Sequence, residues 1–540
     1  MRFHSIRGVR STKPRLLLLN PKSSHSGGPH MFNVGHLTGK TSWLMSCTLP
    51  TIAALTPPEV TVRIVYEDAE GCVDYDEPWD MVAMGVLPNQ ITRAFHIARE
   101  FRRRGAVVIC GGPDVTVCPQ RWRDHVDVLI RGEAERIWPQ FVRDYLIGNY
   151  RNEYHETEFV DLALSPIPDY SNLSSTTYKQ YMAGVVQTSR GCPFNCEFCA
   201  AIPLHGRKIR VKSDDAVMYE VQQLYDLGFQ MIFFADENFA GNRERTKHLL
   251  QRLSNWNHKN RHPMAFSTAL SIDTAEDDEL LRLLAEAGFV RLIVGVETVN
   301  RESLEECRKY QNLKLDTLAA VKKFHMYGLS IGGGCMVGFD HDDLSIFQQQ
   351  YEFFTQAGIT NILVLPLQAF DGTDLKKRLL QEGRYREPDP SVDTATLSPT
   401  QTFTVIPKQM TVKQLQQGAY WLNAKFLDWE ALANRHETFL KNYDQGQART
   451  NIRAPKGKPK LSGLGILLRV LFYIAFRASD RERKTFFRML KAAKRSAYPN
   501  GLRLTLNSYL VAKDNIIALE REKPDFWNVK NPASEGAISG

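Results

Sequence analysis

Residues 190–199 read R-G-C-P-F-N-C-E-F-C and place Cys192, Cys196 and Cys199 at the spacing C-x3-C-x2-C. A structural zinc site closes its tetrahedron with four protein ligands, commonly as two paired C-x2-C or C/H units. Here the second pair is missing. Soft thiolates also suit iron–sulfur clusters, and a [4Fe–4S] cube held by three of them keeps one iron open for an exogenous ligand.

The sequence downstream supplies the scaffold. Apolar runs at 185–189, 231–236, 264–270, 291–297, 330–339 and 361–366 alternate with helical stretches such as 216–227, 277–287 and 315–327. Six repeated β/α units predict a partial TIM-type barrel, whose chemistry belongs at the carboxyl ends of its strands. The cysteines directly follow the first of these strands.

Upstream, apolar runs at 15–20, 60–67, 81–86, 106–112 and 126–130 predict a doubly wound, Rossmann-like parallel sheet. Apolar residues at three- and four-residue steps make 91–104 an amphipathic helix. Gly111-Gly112-Pro113 and Arg131-Gly132-Glu133 then fall at the carboxyl edge of the sheet, where such folds bind ligands. Taken alone, Gly111-Gly112 reads equally well as a tight turn. No G-x-G-x-x-G follows the first strand, which disfavours a nicotinamide cofactor.

The full organisation predicted is a doubly wound domain at 1–150 and a Pro/Ser-rich linker at 151–183. A barrel at 184–370 and a mainly helical region at 371–540 follow. The chain has 540 residues, 43% hydrophobic and 24% charged, and nine scattered cysteines. That usage favours a reducing, cytoplasmic setting. The N-terminus is basic, but Leu16–Leu19 is too short for the apolar stretch of a secretory signal. Residues 461–476 are apolar yet split by Arg469, so no transmembrane helix is expected.

C-x3-C-x2-C with an aromatic residue before the last cysteine, opening a β/α barrel, resembles the radical S-adenosylmethionine (SAM) superfamily. That resemblance implies that Cys192, Cys196 and Cys199 hold the [4Fe–4S] cluster, whose open iron binds SAM. Electron transfer would then cleave SAM to a 5′-deoxyadenosyl radical. F-F-A-D-E-N-F at 233–239 is similar to the family's second-strand segment, implicating Asp236, Glu237 and Asn238 in SAM binding. G-V-E-T at 295–298 is similar to its fourth-strand segment, implicating Glu297, with Ser267 and Thr268 as further candidates.

A doubly wound module before such a barrel resembles the cobalamin-dependent class. G-G-P-D-V-T at 111–116 and R-G-E-A-E at 131–135 resemble its motifs, and the D-x-H-x-x-G that supplies a cobalt-ligating histidine elsewhere is absent from the chain. The resemblance implies base-off cobalamin against Gly111, Gly112, Pro113, Gly132 and Glu133, with Leu87, Pro88, Asn89 and Gln90 beneath the corrin ring. S-L-E-E-C-R-K-Y-Q-N (303–312), F-D-G-T-D-L-K-K-R-L (370–379) and I-P-K-Q-M-T (406–411) are similar to the subgroup containing hopanoid C-2 methylases and related lipid-modifying enzymes. Departures are A-D-E-N-F where D-D-N-F is commoner, and S-I-D-T-A-E-D-D-E-L where the subgroup is Asn/Leu-rich.

The implied activity is methylation of an unactivated carbon of a lipid or other hydrophobic metabolite. One SAM would methylate the cobalamin, and a second would generate the radical that removes substrate hydrogen. Flavodoxin or ferredoxin would be the reducing partner. A second reading uses the same cofactors for cyclisation, rearrangement or oxidation. A third, from a different class, is a non-catalytic, membrane-associated accessory protein.

Residues 451–500 contain thirteen Lys/Arg against two Asp/Glu, in a chain of formal charge +8. Basic charge interleaved with Leu, Ile, Phe and Tyr suits an interfacial segment on an anionic membrane, giving a peripheral location at its inner face. Nucleic acid is disfavoured as the partner because no nucleic-acid module accompanies the patch. Plain packing of these apolar residues on the barrel is the remaining alternative.

Overall fold

The computed structural model describes residues 13–23, 33–387, 403–450, 455 and 461–535. Fifteen strands run in chain order: β1 (Arg15–Asn20), β2 (Ser42–Met45), β3 (Thr61–Tyr66), β4 (Met81–Gly85), β5 (Val107–Gly111), β6 (Val128–Arg131), β7 (Glu153–His155), β8 (Tyr181–Val186), β9 (Ser189–Arg190), β10 (Arg210–Val211), β11 (Met231–Phe234), β12 (Ala265–Leu270), β13 (Phe289–Glu297), β14 (Ser330–Val337) and β15 (Asn361–Pro366). Leu16 to Leu19 are all buried, the pattern of a parallel strand covered on both faces.

The first sheet is wholly parallel in the order β3-β1-β4-β5-β6-β7, so the expected doubly wound architecture is present. The chain winds from β1 outward to β3 and then returns across to β4. This reversal puts the switch point between β1 and β4, beside Asn20 and the 85–90 loop, where open α/β sheets bind ligands. β7 lies beyond residue 150, so the sheet runs into the segment expected to be linker.

The second sheet is also parallel, in the order β15-β14-β13-β12-β11-β8-β2. β11 to β15 fall on five of the six expected barrel strands. β8 supplies the first, but it begins at Tyr181, four residues before the expected run at 185–189 and inside the segment expected to be linker, because its pairing with β2 and β11 extends it toward the N-terminus. β2 extends the open edge, with Ser42 opposite Tyr181 and Met45 opposite Gly184, so the N-terminal segment contributes a strand to the barrel. Inside, Phe234, Phe239, Phe266 and Phe289 stack and tilt at centroid separations of 5.4–5.6 Å. Such rings stabilise a core beyond the apolar area they bury.

Beyond the barrel the chain is helical, with Val412–Leu427, Trp429–Thr450, Leu461–Phe476, Asp480–Arg495 and Gly501–Glu522 as its main helices. Thr411 and Gln414 form a reciprocal capping box that starts the first. Among the described residues no helix is long and apolar enough to cross a membrane. Of the basic segment's first ten residues, 451–460, only Pro455 lies within the described residues.

Candidate active site around the cysteine loop

The loop carrying the cysteines is closed at its base by antiparallel pairing of β9 with β10. Asp236, just past the end of β11, accepts from Thr188 N and Oγ1 at 2.7 and 2.5 Å and from Ser189 N and Oγ at 3.1 and 3.0 Å. Both carboxylate oxygens are therefore spent on the entry to the loop. Burial lifts this carboxyl above its ordinary range despite the four hydrogen bonds. Glu237 accepts from Gly191 N at 3.1 Å, and Cys192 N donates to Gly206 O at 3.1 Å.

The opposite side of the loop is held from the C-terminal region. Glu197, between Cys196 and Cys199, accepts Arg378 Nε at 2.6 Å and Nη2 at 3.1 Å, and its carbonyl accepts Leu375 N at 3.1 Å. Glu197 N donates to Cys307 O at 3.0 Å. Cys307 itself is buried in an apolar cluster, with its thiol donating to Leu304 O at 3.6 Å.

Cys196 is buried, whereas Cys192 and Cys199 are half-buried. Gln311 Nε2 approaches Cys196 Sγ at 3.6 Å. Burial pushes the Cys192 thiol up, and the Cys199 thiol to about 11, with Lys309 opposing both shifts. Thiols so raised must surrender protons to metal, which makes loading pH-dependent. Among the described residues no group of three or more His, Cys, Asp or Glu side chains is arranged to hold a metal ion. A cubane cluster asks instead for soft thiolates distributed over separate irons, and the loop's donor set fits that demand.

The β11 and β12 units carry unpaired polar atoms. Asn238 Oδ1 and Ser267 Oγ are both buried without a hydrogen-bond partner. Asn238 lies in the loop after β11 and Ser267 within the adjacent β12, so a polar ligand such as SAM beside the cysteine loop would find both atoms free to bond. Thr268 differs, because its hydroxyl donates to Phe234 O at 2.9 Å.

Glu297 ends β13 at φ 64°, a region costly for a residue with a side chain. Lys309 Nζ donates to its Oε1 at 2.5 Å, and Gln350 Nε2 to its backbone carbonyl at 3.0 Å. Asn312 Nδ2 braces the carbonyls of Gly295 and Val296 at 3.0 and 2.9 Å. Burial lowers the Lys309 ammonium's affinity for its proton, but the Glu297 and Cys196 charges outweigh it and keep it charged. Lys309, Gln311 and Asn312 are not singled out by the sequence motifs, although S-L-E-E-C-R-K-Y-Q-N contains all three. Arg378 is likewise not singled out inside F-D-G-T-D-L-K-K-R-L.

Glu133, expected at cobalamin, reaches the barrel. It pairs with Arg210 Nη1 at 2.7 Å and Arg190 Nη1 at 3.3 Å, accepts Val160 N at 2.7 Å, and lies 3.7 Å from His205 Nδ1. Glu135 pairs with Arg190 at 2.7 Å, and His205 Nε2 lies 3.4 Å from Glu237. The end of β6 is thereby bolted to the flank of the cysteine loop. Gly112 (φ 115°) and Gly132 (φ 85°) are required by their own surroundings: a Cβ would come within 2.7 Å of Val86 O and 2.4 Å of Glu156 O. At Gly111 a Cβ would stand 3.2 Å from Ile130 O, and Pro113 opens the short helix Pro113–Val117, where a missing N–H costs nothing.

At the switch point Gln90 is fully buried, its amide donating to Pro21 O at 2.7 Å and accepting Leu87 N at 3.0 Å. Leu87 and Asn89 are half-buried and Pro88 exposed. This surface lacks a strong metal ligand, and so fits a cobalt that takes none from the protein.

Residues 186–354 match the Radical SAM superfamily, so the chain carries a radical SAM domain on the half-barrel that bears the three cysteines. Residues 373–519 match a domain of unknown function (DUF4070). Among curated proteins, the chain is 32% identical over 353 residues to an uncharacterized methyltransferase of Synechocystis sp., covering 64% of this chain and 65% of that one. It is 28% identical over 383 residues to the hopanoid C-2 methylase of Rhodopseudomonas palustris, covering 70% and 72%. The matched region thus spans about two thirds of the length of these relatives. Among solved structures, the radical SAM methyltransferase TsrM of Kitasatospora setae, with cobalamin and a [4Fe–4S] cluster bound, superposes with a TM-score of 0.59 at 14% identity. The superposition covers 90% of this chain and 99% of that one, and the two share a fold.

Proposed function

We propose that this chain is a cobalamin-dependent radical SAM methyltransferase that methylates an unactivated carbon of a hydrophobic small molecule or lipid. The observation that carries the reading is the bolt between Glu133 and Glu135, at the start of the helix Ala134–Leu146 that follows β6, and Arg190 and Arg210 at the base of the cysteine loop. It joins the carboxyl edge of a doubly wound sheet to a three-cysteine loop on a half-barrel. An unactivated C–H bond offers no acidic proton to a general base, which is why two radical-capable cofactors belong on one chain.

When bound, the cluster with SAM would supply a deoxyadenosyl radical and cobalamin a transferable methyl group. Cys192, Cys196 and Cys199 would hold the cluster, with Gln311 donating toward the Cys196 sulfur. Asn238 and Ser267 offer the unpaired atoms for SAM, while Asp236 orders the loop entrance and Lys309 fixes the Glu297 carboxylate. Leu87 and Pro88 present an apolar surface for the corrin. The names of the relatives support methyl transfer, and the hopanoid methylase supports an apolar substrate class. A low-potential protein donor such as flavodoxin or ferredoxin would deliver the electron in the cytoplasm.

The test is anaerobic incubation of the reconstituted chain with SAM, cobalamin and reductant, followed by product analysis. Formation of both S-adenosylhomocysteine and 5′-deoxyadenosine is expected, and extracts of a deletion strain should contain an acceptor that gains the mass of one methyl group. Deoxyadenosine without S-adenosylhomocysteine or methyl gain would favour cyclisation, rearrangement or oxidation. Neither product would leave the accessory reading.

A further inference from the structure

The helix Leu461–Phe476 presents two apolar faces, and among the described residues only one of them packs into the fold. Val470 and Ile474, with Ile466 and Tyr473 beside them, pack into a cluster with Val34, Leu37, Phe486, Tyr509 and Leu510. On the other side Leu464, Leu468, Phe472 and Phe476 recur every fourth residue and are 47, 59, 60 and 73% exposed. Steps of four keep side chains on one slowly rotating stripe along a helix. The last two rings touch, with centroids 4.9 Å apart.

A contiguous apolar stripe of this kind on a water-facing surface marks an interaction site. The neighbouring helix, Asp480–Arg495, indicates what meets it. Its inner residue Phe486 enters the same cluster, so the outer faces of both helices turn away from one shared core. That outer face carries Lys484, Arg488, Lys491, Lys494 and Arg495 around exposed Phe487. Arg488 is paired with Glu437, whereas Lys484, Lys491, Lys494 and Arg495 have no carboxylate partner among the described residues. Arg469 and Arg477 add exposed cations beside the stripe itself.

We infer that this helical hairpin is a membrane-docking edge, with Leu464, Leu468, Phe472 and Phe476 entering the headgroup boundary of a bilayer and the adjacent cations contacting anionic lipid. Apolar side chains below and cations at the level of the phosphates are the arrangement of an in-plane amphipathic anchor. Charge complementarity selects anionic lipid over a second copy of this chain, because two copies meeting on this face would set cation against cation. The inference does not depend on the radical chemistry, since SAM cleavage in solution needs neither the stripe nor these lysines.

The test is co-sedimentation of the full chain with vesicles of phosphatidylcholine alone and of phosphatidylcholine mixed with phosphatidylglycerol. The chain should bind the anionic vesicles far better, and less as salt rises, since exposed charges are screened over about 8 Å at physiological ionic strength. Lys484→Gln, Lys491→Gln and Lys494→Gln should each weaken partitioning by about fivefold. Leu468→Gln with Phe472→Gln should weaken it by at least about tenfold while leaving the thermal transition unchanged. Equal binding to both vesicle types, or unchanged binding by the stripe variant, overturns the inference. So does a concentration-dependent dimer in sedimentation velocity that the stripe variant abolishes, because the face would then join two copies.

Discussion

Arg378 clasps Glu197 through two hydrogen bonds of 2.6 and 3.1 Å, fixing the residue between Cys196 and Cys199 to the helix Asp374–Gln381. The fork geometry matches a carboxylate in a way that a lysine cannot. Arg378→Met should leave the buried Glu197 carboxylate unpaired and cost about 3 kcal/mol of local stability. Iron content after reconstitution and gel filtration should fall, with Arg378→Lys intermediate between the two. Unchanged iron retention in Arg378→Met would show that the loop does not need this support.

The bolt between the two sheets should respond to acid. Burial raises the Glu133 carboxyl, but contacts from His205 and Arg210 and the charge of Arg190 outweigh it and hold the group well below the usual carboxylate range. A depressed carboxyl contributes stability that is fully present above its unfolded value near 4.5 and is lost as pH falls below that value toward its folded one. Thermal melts should therefore separate native protein from Glu133→Gln clearly at neutral pH and progressively less below about pH 4. A constant gap across the range would place the effect elsewhere.

Lys309 is buried, paired with Glu297 and close enough to Cys196 to feel its charge. Lys309→Met should strand a carboxylate on strained backbone and cost about 3–5 kcal/mol. The variant should also bind SAM more weakly and lower the cluster's reduction potential, since positive charge near the cluster favours its reduced form. Lys309→Arg should recover part of the potential. A potential unmoved in Lys309→Met would remove the ammonium from the cluster's surroundings.

Much of this architecture is legible from local pattern. Five of the six barrel strands and five strands of the first sheet are apolar runs bounded by turn residues, and those runs locate them, whereas β8 starts four residues ahead of its apolar run at 185–189. β2, β7, β9 and β10 escape because strands of two to four residues carry little pattern, and what fixes them is pairing with partners distant in sequence or at the edge of a sheet. The cysteine loop is legible because three soft ligands at fixed spacing, with no fourth beside them, suit an open cluster far better than a closed zinc tetrahedron. Its supports are not, since Arg190, Arg210 and Arg378 look like any surface arginine until the fold brings Glu133, Glu135 and Glu197 to them. Gly112 and Gly132 read from sequence as cofactor-facing, whereas the crowding that demands glycine comes from Val86 and Glu156.

That last difference is testable without cofactor. Gly132→Ala puts a Cβ against Glu156 O at positive φ, and should destabilise the cobalamin-free protein by about 1–3 kcal/mol. Calorimetry of the apoprotein would show it. A variant as stable as native without cobalamin, but deficient in binding it, would return the glycine to a cofactor role.

Three thiols of one loop should hold a redox-active cluster that meets SAM. Electron paramagnetic resonance of the anaerobically reconstituted, reduced protein, recorded with and without SAM, tests it most directly. The expected result is a [4Fe–4S] signal whose shape changes when SAM is added, which is lost in Cys192→Ala, Cys196→Ala and Cys199→Ala and retained in Cys307→Ala. A protein that fills with zinc and gives no such signal, or a signal indifferent to SAM, would contradict it.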